Sequence, residues 1–371
     1  MLFAYRAGTI AWLPVTNLAP PPAQDISPRT LEWLRRLSTG HRKLLHRFLD
    51  AAGIRLQVEV SIPPVADILA GVKADPDLSQ IISSEAHFIA TIGATGLAPD
   101  RIIQFQSLIL SYYTHFGRDL PWRETSNPYH ILVSEIMLQQ TQVARVLPKY
   151  HEFLEAFPDV QTLAAAPLGE VLAVWQGMGY NRRAIALQRT AKILVEQYNG
   201  ELPRDIAILV QLPGIGRATA SAIVVYAFNT PAIYIETNVR RVMIHFFFQD
   251  RSGIGDSEIE PIVKNTLYRE HPRLWFNALM DYGAWLKTRE QNPNLRSSAY
   301  KKQSPFEGSD RQIRGNILKI VLEKGAIAEG ALIETIAGEK ERIQTLLVEL
   351  EKEGFIHRTG GIVSIAKTGA L

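Results

Sequence analysis

The sequence predicts an all-α core followed by a small α+β domain near the C-terminus. From Ile102 to about Leu286, apolar residues recur at helical spacing in one short segment after another, and no segment alternates as a half-buried strand does. From Asp310 onward, three helical patterns precede the stretch GFIHRTGGIVSIA, in which Gly360-Gly361 lies between two short β-like runs and indicates a hairpin. Three helices and a hairpin are typical of a winged-helix domain.

The composition is that of a globular chain with two or three domains: 371 residues, 46% hydrophobic and 21% charged. A net charge of +3 is compatible with a nucleic-acid partner but does not require one. The chain has no cysteine, which excludes disulfides, thiolate metal sites and thiol catalysis. No apolar run approaches membrane-spanning length, and Arg6 and Pro14 interrupt the start, which makes a poor signal peptide. We therefore expect a cytoplasmic protein.

The first hundred residues give no functional signal. Three prolines at 20–22 indicate a stiff linker, and Ser27-Pro28 opens a helical pattern that runs to Ala52. Basic residues surround its apolar side, and such a run is more often a solvated face than a phosphate-binding one. We predict only that this segment is partly helical.

The helix predicted after Asn127 carries an unusual set of polar residues. Asn127 followed by Pro128 is a cap with proline at the first helical position, and an apolar stripe follows at helical spacing. A core helix would prefer leucine where this one has an acid and three amides along the edge of the stripe. These residues are Glu135, Gln139, Gln140 and Gln142.

The stretch QLPGIGRATASAIVVYAF predicts a tight turn between two helices. Gly214 and Gly216 permit positive φ and expose backbone N–H groups at a helix start, where they bind phosphate without distinguishing bases. A plain tight turn is the alternative. An apolar helix on each side favours a helix-hairpin-helix.

A second acid precedes another helical pattern, in PAIYIETNVRRV. A short apolar run leads to Glu236, and Asn238 follows at the start of the helix. An acid in this position is usually a helix cap or a favourable partner of the helix dipole. For Glu236 that interpretation stays open beside a catalytic one.

Four motifs occur together and in order: LPWRETSNPYHILVSEIMLQQTQV, GMGYNRRA, LPGIGRATA and IETNVRRV. In this order they resemble the adenine DNA glycosylases of the helix-hairpin-helix superfamily. The resemblance covers about Ile102 to Gly315, including GSDRQIRG, but neither the first hundred residues nor the terminal domain. It implies an all-α, two-lobed fold with DNA and a flipped base between the lobes. The implied activity is excision of adenine mispaired with guanine or oxidised guanine.

The resemblance also implies roles for individual residues. Glu135 matches the catalytic acid that protonates the leaving adenine, and Glu236 would be the second carboxylate, which stabilises the cation and helps water attack. Tyr180 matches an intercalating residue. Gln139, Gln140 and Thr141 match residues near the opposite base and the gap in the stack. Contacts to substrate or DNA are implied or expected for Arg118, Leu120, Trp122 and Arg123, at the rim and wall of the adenine pocket, and for Gly214, Gly216 and Asn238.

Most relatives hold an iron–sulfur cluster on four cysteines. Counting their spacing from DYGAWLK gives Lys287, Asn294, Ser297 and Gln303, none of which supplies a thiolate. We therefore expect a member without the cluster and predict no metal-ligating side chains; a cation held by carbonyls of the hairpin is an alternative that the sequence leaves open. Phosphate contacts remain possible roles for the basic residues of this segment: Lys287, Arg289, Arg296, Lys301 and Lys302.

Two further features depart from the family. Glu236 stands where the family usually has aspartate, and the extra methylene moves the carboxylate in a site where placement within about 0.5 Å matters. The terminal segment does not resemble the family's usual C-terminal domain, which helps to recognise oxidised guanine. Preference for oxidised over plain guanine is therefore open.

The sequence accordingly predicts four parts: an N-terminal segment (1–100), a glycosylase core (101–290), a linker in place of the iron–sulfur loop (291–309) and a winged-helix-like domain (310–371). We expect a monomer that acts on double-stranded DNA with a mismatched or damaged base pair, and not on a membrane. Bifunctional members of the superfamily place a nucleophilic lysine where this chain has Ala218, so we expect a monofunctional enzyme. Two alternatives remain: a glycosylase for thymine or uracil opposite guanine, and a non-catalytic binder of damaged DNA.

Overall fold

The computed structural model describes residues 2–6, 9–13, 78–95, 97–289, 291–302 and 305–367. The predicted proline linker at 20–22 and the helical pattern at 27–52 lie outside these ranges. Near the N-terminus, strands β1 (Leu2–Arg6) and β2 (Thr9–Leu13) pair antiparallel, with Leu2 opposite Leu13.

Between residues 78 and 289 the described chain consists of helices joined by short loops. The spacing of apolar residues predicts this from Ile102 to about Leu286; the segment before it was predicted only to be partly helical. In order, its helices are α1 (Leu78–Thr95), α2 (Pro99–Phe116), α3 (Pro128–Leu138), α4 (Val143–Ala156), α5 (Val160–Ala165), α6 (Leu168–Trp175), α7 (Arg182–Gln197), α8 (Ile206–Leu209), α9 (Arg217–Phe228), α10 (Thr237–Phe247), α11 (Asp256–Thr266) and α12 (Pro272–Arg289). No helix of the described ranges is both long and apolar enough to cross a bilayer.

Two compact units divide the chain. The first comprises Met1–Glu124 and Asn229–Tyr300, and the second comprises Thr125–Phe228 and Lys301–Leu371. The chain thus passes from one unit to the other three times, and each unit is built from segments distant in sequence.

The first unit is held together by α10 and α12, which pack closely along their length. A Cβ at Gly283 would lie 2.5 Å from the carbonyl oxygen of Asn238, so only glycine allows this approach of the two helices. Aromatic rings fill the core around them, with Phe105 and Phe246 in edge-to-face contact at 5.1 Å between centroids. These contacts fix the helix start at residues 237–238, which bears on the candidate site.

A buried ion cluster fastens α1 to this core. The Glu85 carboxylate is 2% exposed and pairs with His245, with Arg289 at the end of α12 and with the Tyr282 hydroxyl, 2.8 Å away. Burial raises the pKa of Glu85, but these donors outweigh it and hold the pKa below its ordinary value. The segment before residue 100 therefore contributes at least one helix to the core.

The second unit begins with the predicted cap. The Asn127 side chain accepts a hydrogen bond from the Tyr129 amide at 2.9 Å, and Pro128 occupies the first turn of α3. Helix α3 packs against α4 and α9, and its residues Leu132, Val133 and Ile136 are fully buried. The apolar stripe that the spacing predicts is therefore the inner face of this helix.

Residues 310–367 form the predicted winged-helix arrangement of three helices and an antiparallel sheet. Its elements are α13 (Asp310–Lys324), β3 (Ala326–Ala328), α14 (Glu329–Thr335), α15 (Lys340–Lys352), β4 (Ile356–Thr359) and β5 (Ile362–Ile365). Strand β5 lies between β3 and β4. Gly360 and Gly361 both have positive φ, 57° and 73°, in the two-residue turn between β4 and β5. Strand β3 is an addition to the predicted hairpin.

Candidate active site

Glu135 lies on α3 in the second unit. Its neighbours Ser134 and Ile136 are fully buried, whereas Glu135 itself is half-buried. The carboxylate thus emerges at the edge of the apolar stripe, as the sequence predicts. A carboxyl group so placed is partly withdrawn from water yet open to a reactant.

The residues after α3 form a sharp turn. Gln139 ends the helix, and Gln140 has a φ of 54°, in the left-handed region that few residues other than glycine adopt. Gln140 is exposed, whereas Gln139 and Thr141 are half-buried. The turn therefore presents three adjacent polar side chains one helical turn beyond Glu135. The prediction that Gln139, Gln140 and Gln142 lie along the helix is wrong, because the helix ends at Leu138 and the left-handed Gln140 breaks it.

Arg183 holds this turn in place. Its buried guanidinium donates to the carbonyls of Ile136, Met137 and Gln139, at 3.0, 2.7 and 2.7 Å, and to the Thr141 hydroxyl at 3.0 Å. These carbonyls belong to the open end of a helix, which otherwise lacks partners. The same group also donates to the backbone carbonyls at positions 178 and 179, at 3.3 and 2.9 Å.

Arg183 thus joins the turn after α3 to the GMGY loop. Burial lowers the pKa of Arg183 to about 10, so the group remains charged at neutral pH. Its guanidinium also lies 5.3 Å from the Trp175 ring centroid. Arg183 lies in the motif GMGYNRRA, but the sequence did not predict this structural role for it.

The hairpin is tied to the same turn by Gln139. Its side-chain amide donates to the Gly214 carbonyl and to the Thr219 hydroxyl, each at 3.2 Å. Gly214 has a φ of 75°, and a Cβ there would lie 2.7 Å from the Cβ of Ala186, so this position needs glycine on both counts.

The sequence suggested a positive φ at both glycines of the hairpin, but the φ of Gly216 is not positive. It is exposed, with open space where a Cβ would lie, and its carbonyl accepts from the Ala220 amide in the first turn of α9 at 2.9 Å. Arg217 and Ala218 beside it are also exposed. This leaves an accessible helix N-terminus, a suitable place for a phosphate.

Tyr180 is half-buried at the end of the GMGY loop. Its φ is 48°, and its carbonyl accepts from the Arg183 amide at 2.9 Å. The preceding Gly179 also has a positive φ, 69°. The backbone is therefore held in an uncommon conformation at the residue expected to intercalate, which is a frequent property of functional positions.

Glu236 lies in the first unit and caps α10. Its carboxylate accepts hydrogen bonds from the amides of Asn238 and Val239 at 2.5 and 2.8 Å, so the capping interpretation is correct for its geometry. Burial raises the pKa of Glu236, opposed by these amides and by the charges of Arg241 and Arg240. A cap with a perturbed pKa remains compatible with a chemical role.

Asn238 connects this carboxylate to the neighbouring helix. Its side-chain nitrogen Nδ2 donates to the Glu236 carboxylate at 3.3 Å and lies 3.6 Å from the Met280 sulfur, and its side-chain oxygen Oδ1 accepts from Arg241 at 2.6 Å. Arg241 also donates to the Gly283 carbonyl on α12 at 2.5 Å. The direction of the Asn238 side chain is thus fixed by groups on both helices.

The residues matched to the adenine pocket cluster around Asp281 on α12. Arg118 contributes its backbone amide at 2.7 Å and its guanidinium at 2.6 Å, and Arg123 donates twice, at 2.8 and 2.7 Å. Burial raises the pKa of Asp281, but the two arginines outweigh it and hold the pKa below its ordinary value. Leu120 and Trp122, between the arginines in sequence, are buried.

The two arginines differ in what remains accessible. The side chain of Arg118 is 38% exposed, whereas that of Arg123 is 6% exposed. Arg123 therefore acts mainly as an internal anchor, and Arg118 keeps a surface for a ligand. Asp281 was missed by sequence reasoning; the only signal was an acid within the otherwise apolar pattern of α12.

The segment that relatives use for the cluster does not fit one here. Of the four counted positions, Lys287 is exposed, and Asn294 is buried with its amide donating to the Thr237 carbonyl at 2.8 Å. Ser297 is buried and bridges to Ile254, and Gln303 lies outside the described residues. Within the described ranges no three His, Cys, Asp or Glu side chains are grouped to hold a metal.

Hydrogen bonds fasten this segment to the first unit. It contains a turn of 3₁₀ helix, Pro293–Arg296, and Arg296 donates to the carbonyls of Phe248 and Gln249. Arg296 and Arg289 are therefore engaged internally, and their expected phosphate contacts are not supported by the structure. Lys287, Lys301 and Lys302 are exposed and remain candidates.

Comparison with known proteins places these features in a family. The model of the HhH-GPD superfamily of base excision DNA repair proteins matches residues 133–266, which include Glu135, the hairpin and Glu236. An adenine DNA glycosylase of Buchnera aphidicola is 40% identical over 185 residues, 48% of this chain and 52% of the relative, so the match spans about half of that protein.

A second relative is matched more completely. An adenine DNA glycosylase of Mycolicibacterium smegmatis is 32% identical over 264 residues, 65% of this chain and 90% of the relative. Among solved structures, a thermostable thymine-DNA glycosylase has a TM-score of 0.44 and 24% identity, over 56% of this chain and 88% of that chain. The match over nine-tenths of the mycobacterial protein shows that this chain belongs to the adenine DNA glycosylase family of the helix-hairpin-helix superfamily.

Proposed function

We propose that this chain is a monofunctional DNA glycosylase that removes adenine mispaired with guanine or 8-oxoguanine, in base excision repair. It acts as a cytoplasmic monomer on double-stranded DNA and needs no iron–sulfur cluster. One arrangement carries the proposal: a half-buried Glu135 followed at once by a polar turn that Arg183 and Gln139 fix to the hairpin. A carboxyl group, base-contacting amides and a phosphate-binding helix start are thereby held in one unit.

The reaction needs an acid because adenine is a poor leaving group. Glu135 in its protonated form transfers a proton to N7 of adenine, and the glycosidic bond breaks through an oxocarbenium-like state. The position of Glu135 supports this role, because a half-buried side chain at the edge of the buried face of α3 can reach a base. The base must first leave the stack, and Tyr180 would hold the gap that it leaves.

Glu236 would stabilise the cation and direct water. This role requires the ionised carboxylate, which the Asn238 and Val239 amides and the N-terminus of α10 favour against the effect of burial. Ala218 provides no nucleophile at the first turn of α9, so water completes the reaction and the strand stays intact. The product is an abasic site.

A panel of mismatched duplexes tests the proposal. Under single-turnover conditions, A·G and A·8-oxoguanine duplexes should lose adenine, and strands should break only after alkali treatment. Borohydride should trap no covalent complex. Excision of thymine or uracil opposite guanine with adenine untouched would contradict the adenine assignment, and binding without excision of any base would contradict the enzyme.

A further inference from the structure

The terminal domain contacts the residue that is expected to intercalate. Arg311, in the first turn of α13, donates from Nη1 to the Tyr180 hydroxyl at 2.6 Å, and its guanidinium carbon lies 5.4 Å from the ring centroid. Arg183 lies 5.5 Å from the same centroid. The ring of Tyr180 is therefore near two guanidinium groups, one from the core and one from the terminal domain.

The side chain of Arg311 is held by a second hydrogen bond and by the packing of its helix. Its Nη2 donates to the Pro305 carbonyl at 3.3 Å, and it lies on a helix whose inner residues Ile313 and Ile317 are buried. Both Arg311 and Tyr180 belong to the second compact unit. A side chain held in this way can fix the direction of a ring more strictly than a free surface arginine can.

Ion pairs and apolar contacts join the terminal domain to the helices around Tyr180. Glu353 accepts from Arg182 at the start of α7 at 2.8 Å and from Arg314 on α13 at 2.5 Å. At Gly169, a Cβ would lie 3.8 Å from Ile365 of β5. The acid that follows α15, Glu353, is thus paired within the protein.

The backbone and the hydroxyl of Tyr180 are held by different groups. The left-handed backbone is fixed by Gly179 and by the amide of Arg183, whereas the hydroxyl is held by Arg311. Loss of the Arg311 contact would leave the loop in place but give the ring more rotational freedom. Ordering a freed aromatic side chain on binding lowers affinity for the state that requires it.

We propose that Arg311 is a positioning residue that sets the direction of the Tyr180 ring, so that the terminal domain contributes to recognition of the mispair. This inference rests on the proposed function, because it takes Tyr180 as the residue that enters the stack. The terminal domain is then part of the mispair-recognition apparatus and not a separate binding module.

The test is a double-mutant cycle on the full chain with Arg311→Ala, Tyr180→Phe and the double variant. Fluorescence anisotropy gives the ratio of affinities for A·G and matched duplexes, and 2-aminopurine beside the mispair reports unstacking. Each single variant should lower the ratio roughly tenfold, about 1.4 kcal/mol. The double variant should show the same affinity ratio as each single variant, because either single substitution already removes the contact between Arg311 and Tyr180. Arg311→Lys should retain part of the preference.

Arg342→Ala is the matched control, since Arg342 pairs with Asp310 beside Arg311 on the exposed surface of the same domain. It should leave the ratio unchanged. An unchanged ratio in Arg311→Ala, or losses that multiply in the double variant, would overturn the proposal. If Arg311→Ala does not fold, Tyr180→Phe with and without Arg311→Lys gives the same comparison. Absence of excision by the wild-type protein would instead refute the proposed function.

Discussion

At the residue scale, the structure shows Glu236 as a helix cap, one of the two interpretations that the sequence left open, and its catalytic role stays a prediction. It caps α10 through two backbone amides, and its pKa is raised by burial against those amides and the nearby arginines. A motif can show that an acid precedes a helix, but it cannot show how far that acid is withdrawn from water. The same limit applies to Asp281, whose importance follows from Arg118 and Arg123 meeting it from a distant segment.

The raised pKa of Glu236 predicts a pH dependence. A carboxyl group with a raised pKa becomes protonated at higher pH than usual, and only its ionised form stabilises the cation. Single-turnover excision should therefore fall on the acid side with an apparent pKa above about 4.3, the ordinary glutamate value. Glu236→Gln should lower the rate roughly 10²–10⁴-fold and remove this acid limb. Glu236→Asp should keep the limb, and an unchanged profile in Glu236→Gln would exclude the role.

At the element scale, the open end of α3 depends on a side chain from another helix. Arg183 satisfies several carbonyls there, whereas the adjacent Arg182 makes an ion pair with Glu353 and its side chain is 71% exposed. Leaving buried carbonyls without donors is costly, while exposed ion pairs contribute little.

This contrast predicts unequal effects of two neighbouring substitutions. Arg183→Ala should lower the free energy of unfolding by roughly 2–4 kcal/mol, and Arg182→Ala by less than about 1 kcal/mol. Urea denaturation followed by circular dichroism measures both, with Arg182→Ala as the matched control. Equal, small losses would show that the turn after α3 is held in some other way.

Helices were predictable where local chemistry determines them. The Asn127 cap, the apolar stripe of α3 and the Gly360-Gly361 turn each depend on residues close in sequence, and the structure has all three. Strand β3 was not predictable, since three residues, Ala-Ile-Ala, carry no alternation and become a strand only by pairing with β5. The 3₁₀ turn at 293–296 has a local cap, Asn292, and its Arg296 also donates to the distant carbonyls of Phe248 and Gln249.

At the scale of the whole molecule, the division into two compact units could not be predicted from the order of residues along the chain. Each compact unit is assembled from two stretches of chain, and Glu135 and Glu236 fall in different units. The motifs predict that both residues serve one reaction, because their order along the chain follows a known family, and that assignment stays a prediction. The linear domain boundaries remain predictions.

The segment at 291–302 predicts independence from iron. Asn294 and Arg296 fasten this segment by hydrogen bonds to the carbonyls of Thr237 and Ile244. The segment contains no cysteine that could bind iron. The purified protein should show no broad visible absorbance of a cluster, and iron chelation should leave both its unfolding midpoint and its excision rate unchanged. Stoichiometric iron that activity requires would contradict this prediction.

The central claim is that Glu135 releases the base. The most direct measurement compares Glu135→Gln with the wild-type protein on one A·G duplex, recording affinity by anisotropy and base release in a single turnover. Affinity should stay within about threefold, because the amide keeps the shape of the side chain, while release should fall roughly 10²–10⁴-fold. Release by Glu135→Gln near the wild-type rate would contradict it.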